Sequence, residues 1–380
     1  MKLYKLAPIS VALMMVSGVV FANSAVINQD GADNAADILQ SNMINGTATI
    51  GQVGDRNIGD IDQKNNSNAS RYTNATISTT GNDNKATISQ NNDWDTTAAI
   101  TQVGNLNNAV INQLYATDYS TATIDQVNNA VDNNATITQA GSDYSIADID
   151  QNHVKYSDAT ITQDDSDYNS AYILQNGFNF YVDATITQGG GNWNVAKIYQ
   201  TNPFGGWSDY SSAEITQAGS SNEATVTQAS SYNSDAVVEQ TGSSHNAVVY
   251  QGPGNYNEAN VSQFDSSHEA NVTQGGGYNL ANVTQYGTSN DADVNQSGNH
   301  NIAYVDQWNT GNEADVVQSG DWNVADIDQT GTGYASITQS GLGESDWVNT
   351  ATIIQSTVGD SAVITQTGLG GNTATIVQQP

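Results

Sequence analysis

The 380-residue sequence contains no cysteine, so no disulfide can hold the fold together. Basic side chains are scarce, eight Lys and Arg against 39 Asp and Glu, for a net charge of −31. A chain this acidic is repelled by phosphate backbones, which argues against nucleic-acid binding. Charge of either sign is sparse at 12% of residues, and much of the 37% apolar content is Ala and Val. That leaves little for a thick globular core.

The residues of an enzyme site are missing as well. The four histidines, His153, His245, His268 and His300, are scattered without ligand spacing, and there is no thiol nucleophile. The stretches QGGGNWN and QGGGYN lead into no helix, as a phosphate loop would. Asp-x-Asp pairs at Asp60/Asp62, Asp148/Asp150 and Asp326/Asp328 offer oxygens to Ca²⁺, but the Gly-Gly-x-Gly-x-Asp calcium-roll motif is absent. These carboxylates read as solvating charge. No catalytic residue, metal or cofactor is expected.

The one long apolar run lies at the start. Lys2 and Lys5 precede an apolar stretch from Ile9 to Phe21 and a V-F-A site ending at Ala22. This reads as a secretory signal peptide over residues 1–22, too short and wrongly flanked for a membrane span. Residues 23–380 would then form the mature chain, with a net charge of 6 − 39 = −33 once Lys2 and Lys5 are removed.

What the sequence does have is repetition. The phrase A-x-[IV]-x-Q occurs 30 times between Ala25 and Gln378, mostly at intervals of 11 to 13 residues. The central residue is always Ile or Val, and only Gly59 and Thr79 depart at the outer positions. Regular periodicity of this kind speaks against disorder. Ala, Ile/Val and Gln at i, i+2 and i+4 share one face of a strand, and the intervening residues are mostly polar. β-branched residues and Gly/Asn punctuation disfavour helix.

The gaps follow a pattern of their own, Q-x-G-x-x-N-x-A, as in Gln29, Gly31, Asn34 and Ala36. Gly and Asn suit the unusual backbone of a tight turn. A six-residue turn is too short for a helical crossover but folds one strand over onto the next as an arc. The prediction is an all-β, amyloid-like, two-sheet β-solenoid, 30 short strands making 15 rungs in a stack about 70 Å long. Buried Gln and Asn would pair with their own copies one rung along, as in steric zippers.

The repeated phrase Q-x-G-x-x-N-x-A-x-[IV]-x-Q resembles the curlin repeat of bacterial curli, the extracellular functional amyloid of biofilms, over essentially the whole mature chain. The resemblance implies a secreted, non-enzymatic subunit that polymerises with itself into adhesive fibres on the cell surface. It also implies a nucleator subunit, curli-type export machinery, and host or abiotic surfaces as partners. Positions matching the inward ladder motif are Gln29, Asn34, Gln40, Gln52, Asn57, Gln63, Gln102, Asn107, Gln139 and Gln163. The repeats begin at Ala25, where curlin subunits carry a Gly-rich leader, and they are more numerous than is usual. The first and last phrases are expected to leave edge strands open to a further copy.

Two non-polymerising readings compete, an ice-binding solenoid and a solitary adhesin stalk. The former draws on Thr136/Thr138, Thr160/Thr162 and Thr185/Thr187, a run broken by Glu214. Longer gaps at Lys64–Asn74, Thr201–Ser212 and Ser340–Thr350 read as extruded loops. Arg56, Lys64, Arg71 and Lys85 cluster in the first rungs, and all six Trp (Trp94, Trp193, Trp207, Trp308, Trp322, Trp347) lie in gaps.

Overall fold

The computed structural model describes residues 23–64, 72–91, 93–115, 117–202 and 208–379. The signal-peptide assignment to residues 1–22, Arg71 and Trp207 lie outside them. Among the described residues there is no helix. Each of the 30 phrases forms a strand, fifteen in each of two parallel sheets wound as a β-solenoid of about fifteen turns. Four two-residue strands bring the total to 34. Asn179–Phe180 pairs with Ser208–Asp209, and Ser231–Tyr232 with Gly254–Asn255. The phrase gives no sign of these, because they arise where successive arcs lie along one another.

The chain falls into two units, Met1–Asn176 with Gln188–Gly190, and Gly177–Thr187 with Gly191–Pro380. Within the first, strand Thr47–Val53 pairs with Asn74–Thr80 so that Ala48 meets Ala75 and Ile50 meets Ile77. Strand Asn134–Ala140 pairs with Asp158–Asp164, setting Ile137 on Ile161 and Gln139 on Gln163. Within the second, Asn246–Gln251 lies on Glu269–Gly277 with Val249 beside Val272 and Gln251 beside Gln274. Like residues meet because a one-residue slip would turn every Ile outward.

Alternation decides what is buried. Ala, Ile/Val and Gln point into the space between the sheets, where Ile50, Ile77, Ile137 and Val249 are fully buried. Each such side chain contributes about 1.5–3 kcal/mol relative to exposure. The small Ala leaves room for the bulkier side chain opposite. Gly59 departs from Ala for a local reason. A Cβ there would come within 2.9 Å of Ile50 Cγ2, closer than packing allows.

The glycine of the arc is needed for its backbone. Gly54 has φ +111°, and an added Cβ would lie 2.0 Å from the carbonyl oxygen of Gly81 on the next rung. Only a residue without a side chain accepts both the angle and the approach.

The positions between inward residues are less solvated than the sequence suggests. Asp148 and Asp150 face outward as expected but are half-buried. Neighbouring strands in the same sheet stand on either side of them, as Tyr172 and Thr123 do beside Asp148.

Candidate functional site

The inward glutamines form hydrogen-bonded columns. In the first unit, Gln40 Nε2 donates to Gln63 Oε1 at 2.8 Å, and Gln63 to Gln90 at 2.7 Å. Gln90 donates to Gln113, Gln113 to Gln139, Gln139 to Gln163 and Gln163 to Gln188, all at 2.8–2.9 Å. Each amide also reaches the facing sheet. Gln52 donates to the Ala35 carbonyl at 3.1 Å, Gln139 to Thr121 at 3.2 Å and Gln163 to Ile146 at 3.1 Å. One side chain therefore ties its rung to the next and one sheet to the other. In the second unit Gln217 donates to Gln240, Gln240 to Gln263 and Gln263 to Gln285. A parallel column there runs from Gln200 through Gln228 to Gln251. In every one of these bonds the lower-numbered glutamine donates.

One column of the first unit is broken. Gln29 donates to Gln52 at 2.7 Å, but Thr79 occupies the next position. Its side chain is too short, so Thr79 Oγ1 and Gln102 Oε1 are both buried without a hydrogen-bond partner. A buried group left in this state costs about 1–3 kcal/mol. The column resumes where Gln102 donates to Gln126 at 2.9 Å. Of the ladder glutamines, Gln52, Gln63, Gln102, Gln139 and Gln163 are buried. Gln29, on an edge strand, is exposed, and Gln40 is half-buried.

Asparagines make a second ladder through the arcs. The Asn34 side chain accepts from the Asn57 backbone N–H at 2.8 Å and donates to the Gly54 carbonyl at 2.7 Å. Asn57 accepts from the Asn84 N–H at 3.1 Å and donates to the Gly81 carbonyl at 2.7 Å. Asn107 accepts from the Asn133 N–H at 3.4 Å and donates to the Ala130 carbonyl at 2.9 Å. Backbone groups that a turn would leave unpaired are thereby satisfied inside the chain.

The opposite arcs of the second unit contain two residues that the motif conceals. His245 and His268 are buried, and their rings stack with centroids 5.1 Å apart. The His245 N–H donates to Asn222 Oδ1 at 3.1 Å, the His268 N–H to His245 Nδ1 at 3.3 Å, and the Asn290 N–H to His268 Nδ1 at 3.1 Å. Since Nδ1 accepts, Nε2 carries the proton, and it meets the carbonyls of Thr241 and Phe264 at 3.3 and 2.6 Å. Asn290 makes the same pair of contacts with Oδ1 and Nδ2, to the Asn312 N–H and the Tyr286 carbonyl. Imidazole therefore replaces carboxamide in one continuous ladder. The sequence signal was available: Q-T-G-S-S-H-N-A over Gln240–Ala247 is the arc pattern with His at the Asn position.

Burial sets the protonation of this interior. It pushes the His245 imidazole down to about 4, helped by the neighbouring His268, which is itself lowered. Burial pushes the Asp93 carboxyl up to about 7, against hydrogen bonds from the Thr117 hydroxyl and N–H. On the sheet faces, burial raises Asp148 to about 6, with Asp125 and Asp150 adding like charge. Asp291 is likewise raised to about 6 by burial, then by Asp293 and Glu269.

The basic residues near the start make local pairs. Arg56 forms a two-pronged bond to Asp83 on the next rung, each contact 2.6 Å, and Lys64 pairs with Asp62. Among the described residues no group of three or more His, Cys, Asp or Glu is placed to hold a metal ion.

Register-matched parallel strands with interior amide columns define a class, the polar-ladder β-solenoids. The curlin associated repeat matches four stretches of the chain, residues 232–264, 266–298, 287–313 and 310–341. Over those stretches, all in the second half of the chain, the protein carries curlin associated repeats. No curated protein matches it.

Proposed function

We propose that the chain is the subunit of a curli-like extracellular amyloid fibre that assembles with itself for biofilm matrix and adhesion. On this reading residues 1–22 direct secretion, and a nucleator and curli-type exporter act with residues 23–380. The observation that carries it is repetition in register. Each rung offers the next the same Ala, Ile/Val and Gln, so a rung from a second copy would meet the same hydrogen-bonding and apolar partners. Sheet edges that offer such a template add strands from other chains. The ladder residues Gln29, Asn34, Gln40, Gln52, Asn57, Gln63, Gln102, Asn107, Gln139 and Gln163 would hold that register.

The test is negative-stain microscopy of purified residues 23–380 over time, with thioflavin binding in parallel. Fibres that appear spontaneously and seed fresh protein support the reading. Monomers that persist at high concentration would overturn it.

A further inference from the structure

Ten of the 18 tyrosines have a left-handed backbone, with φ between 53° and 64°. For a bulky L-residue this conformation costs about 1 kcal/mol or more. The arcs have cheaper occupants, since Asn45, Ser221 and Gly311 hold positive φ elsewhere. Something favours the phenol ring.

The rings are held in pairs. In the first unit Tyr119 stacks on Tyr144 with centroids 4.7 Å apart and planes 11° apart, and Tyr144 on Tyr168 at 4.9 Å and 4°. In the second unit Tyr181 stacks on Tyr210 at 5.1 Å and 5°, and Tyr256 on Tyr278 at 4.8 Å and 17°. Backbone bonds fix these positions: the Tyr144 N–H donates to Asp118 at 2.8 Å, Tyr168 to Asp143 at 2.9 Å and Tyr278 to Asn255 at 2.7 Å. All seven rings are 41–54% exposed. Stacking contributes about 0.5–1.5 kcal/mol per pair, roughly what the backbone costs, and phenylalanine would stack as well. The hydroxyl adds nothing to the stack, but it makes the ring oxidisable.

We infer that these stacked tyrosines are sites of oxidative coupling, forming dityrosine links between successive rungs under a peroxide-driven one-electron oxidant of the haem-peroxidase class. Each phenol gives up one electron and its hydroxyl proton. The two radicals join through the ring carbons ortho to oxygen, and the two displaced ring hydrogens move to the oxygens. In sum, two tyrosines and one hydrogen peroxide give one carbon–carbon link and two waters. The links tie residues 22 to 29 positions apart in sequence, in a chain with no cysteine for the purpose. Proximity in a fixed stack raises the effective concentration of one radical at the other.

The experiment uses dilute, unassembled residues 23–380 with horseradish peroxidase and hydrogen peroxide, so its outcome does not depend on fibre formation. Blue dityrosine fluorescence reports coupling, and peptide mapping after cleavage at acidic residues locates links as linked peptides lighter by two hydrogens. Links 119–144, 144–168, 181–210 and 256–278 should exceed all others by roughly tenfold, as expected of held partners. Tyr144→Phe keeps the stack, so it should abolish both links of its column and leave 181–210 and 256–278 unchanged. Tyr304→Phe should change nothing, since Tyr304 is exposed on a sheet face and among the described residues no ring stacks on it. Links spread without regard to stacking, links only between molecules, or ring hydroxylation without coupling would each overturn the inference. So would an unaltered map in Tyr144→Phe protein with native circular dichroism.

Discussion

The backbone N–H of His268 points at Nδ1 of His245, 3.3 Å away. Protonating that nitrogen would set one N–H against another inside the ladder. The pair is therefore committed to its neutral form.

Acid should weaken this joint. The folded His245 value, about 4, lies below the unfolded value near 6.5. The unfolded chain then binds more protons between these limits, so the contribution is complete above pH 6.5 and is lost as pH falls towards 4. After allowance for solvent near the arc, the loss is on the order of 2 kcal/mol. Denaturant unfolding of the wild type and the His245→Asn/His268→Asn variant, compared at pH 7 and 4.5, isolates it. The difference between the two proteins should shift in favour of the variant at pH 4.5; a constant difference would show that the rings titrate freely.

The outward carboxylates should act in the opposite sense. Asp148 and Asp291 titrate near 6 when folded and near 3.9 when unfolded. Their ionisation burdens the fold in full above pH 6, and the burden lifts as pH falls through 6 towards 4. Burial is the first cause, ahead of the neighbouring charges, and salt screens charges without rehydrating a buried group. Stability, and with it the rate of any fibre formation, should rise more on going from pH 7 to 5 than on adding salt at pH 7. Asp148→Asn should remove part of the pH effect, as read from unfolding midpoints and thioflavin lag times.

Replacing Gln139 by Leu removes the acceptor of Gln113 and the donor to Gln163, Thr121 and Ser145. Each buried group left unpaired costs about 1–3 kcal/mol, so the variant should lose several kcal/mol and unfold at a clearly lower denaturant midpoint. Thr138→Ser, on the opposite face of the same strand, should change stability by less than about 0.5 kcal/mol. Equal effects would contradict the inward placement.

Thr79→Gln should repair the broken column. A glutamine there offers an oxygen to Gln52 Nε2 and a donor to the unpartnered Gln102 Oε1. A gain of about 1 kcal/mol or more is expected, visible as a higher midpoint. A loss would mean that the surrounding rungs have closed around the smaller side chain.

Much of this was legible because a strand repeats every two residues and an arc fixes where the next strand begins. The inward Ala, Ile and Gln, and the asparagines at Asn34, Asn57 and Asn107, follow directly from that pattern. His245 and His268 were not read as ladder members, because histidine was weighed as a ligand or base and not as an amide replacement. The tyrosine stacks were hidden for another reason. Tyr119 and Tyr144 meet only once the rung register is known, and arc lengths vary too much to count across. Half-burial of Asp148 escaped because a polar residue on an alternating strand reads as solvated, whereas its neighbours in the sheet shield its flanks.

Every glutamine bond described runs the same way, from the lower-numbered amide to the higher. Each column is therefore a row of aligned dipoles whose members polarise one another, and its two ends are chemically unlike, one showing C=O and the other N–H. Brought together like end to like end, two columns would set oxygen against oxygen or hydrogen against hydrogen. Only opposite ends match. Any filament continuing these columns inherits an arrow, with two tips that differ in what they can bind and how fast they grow.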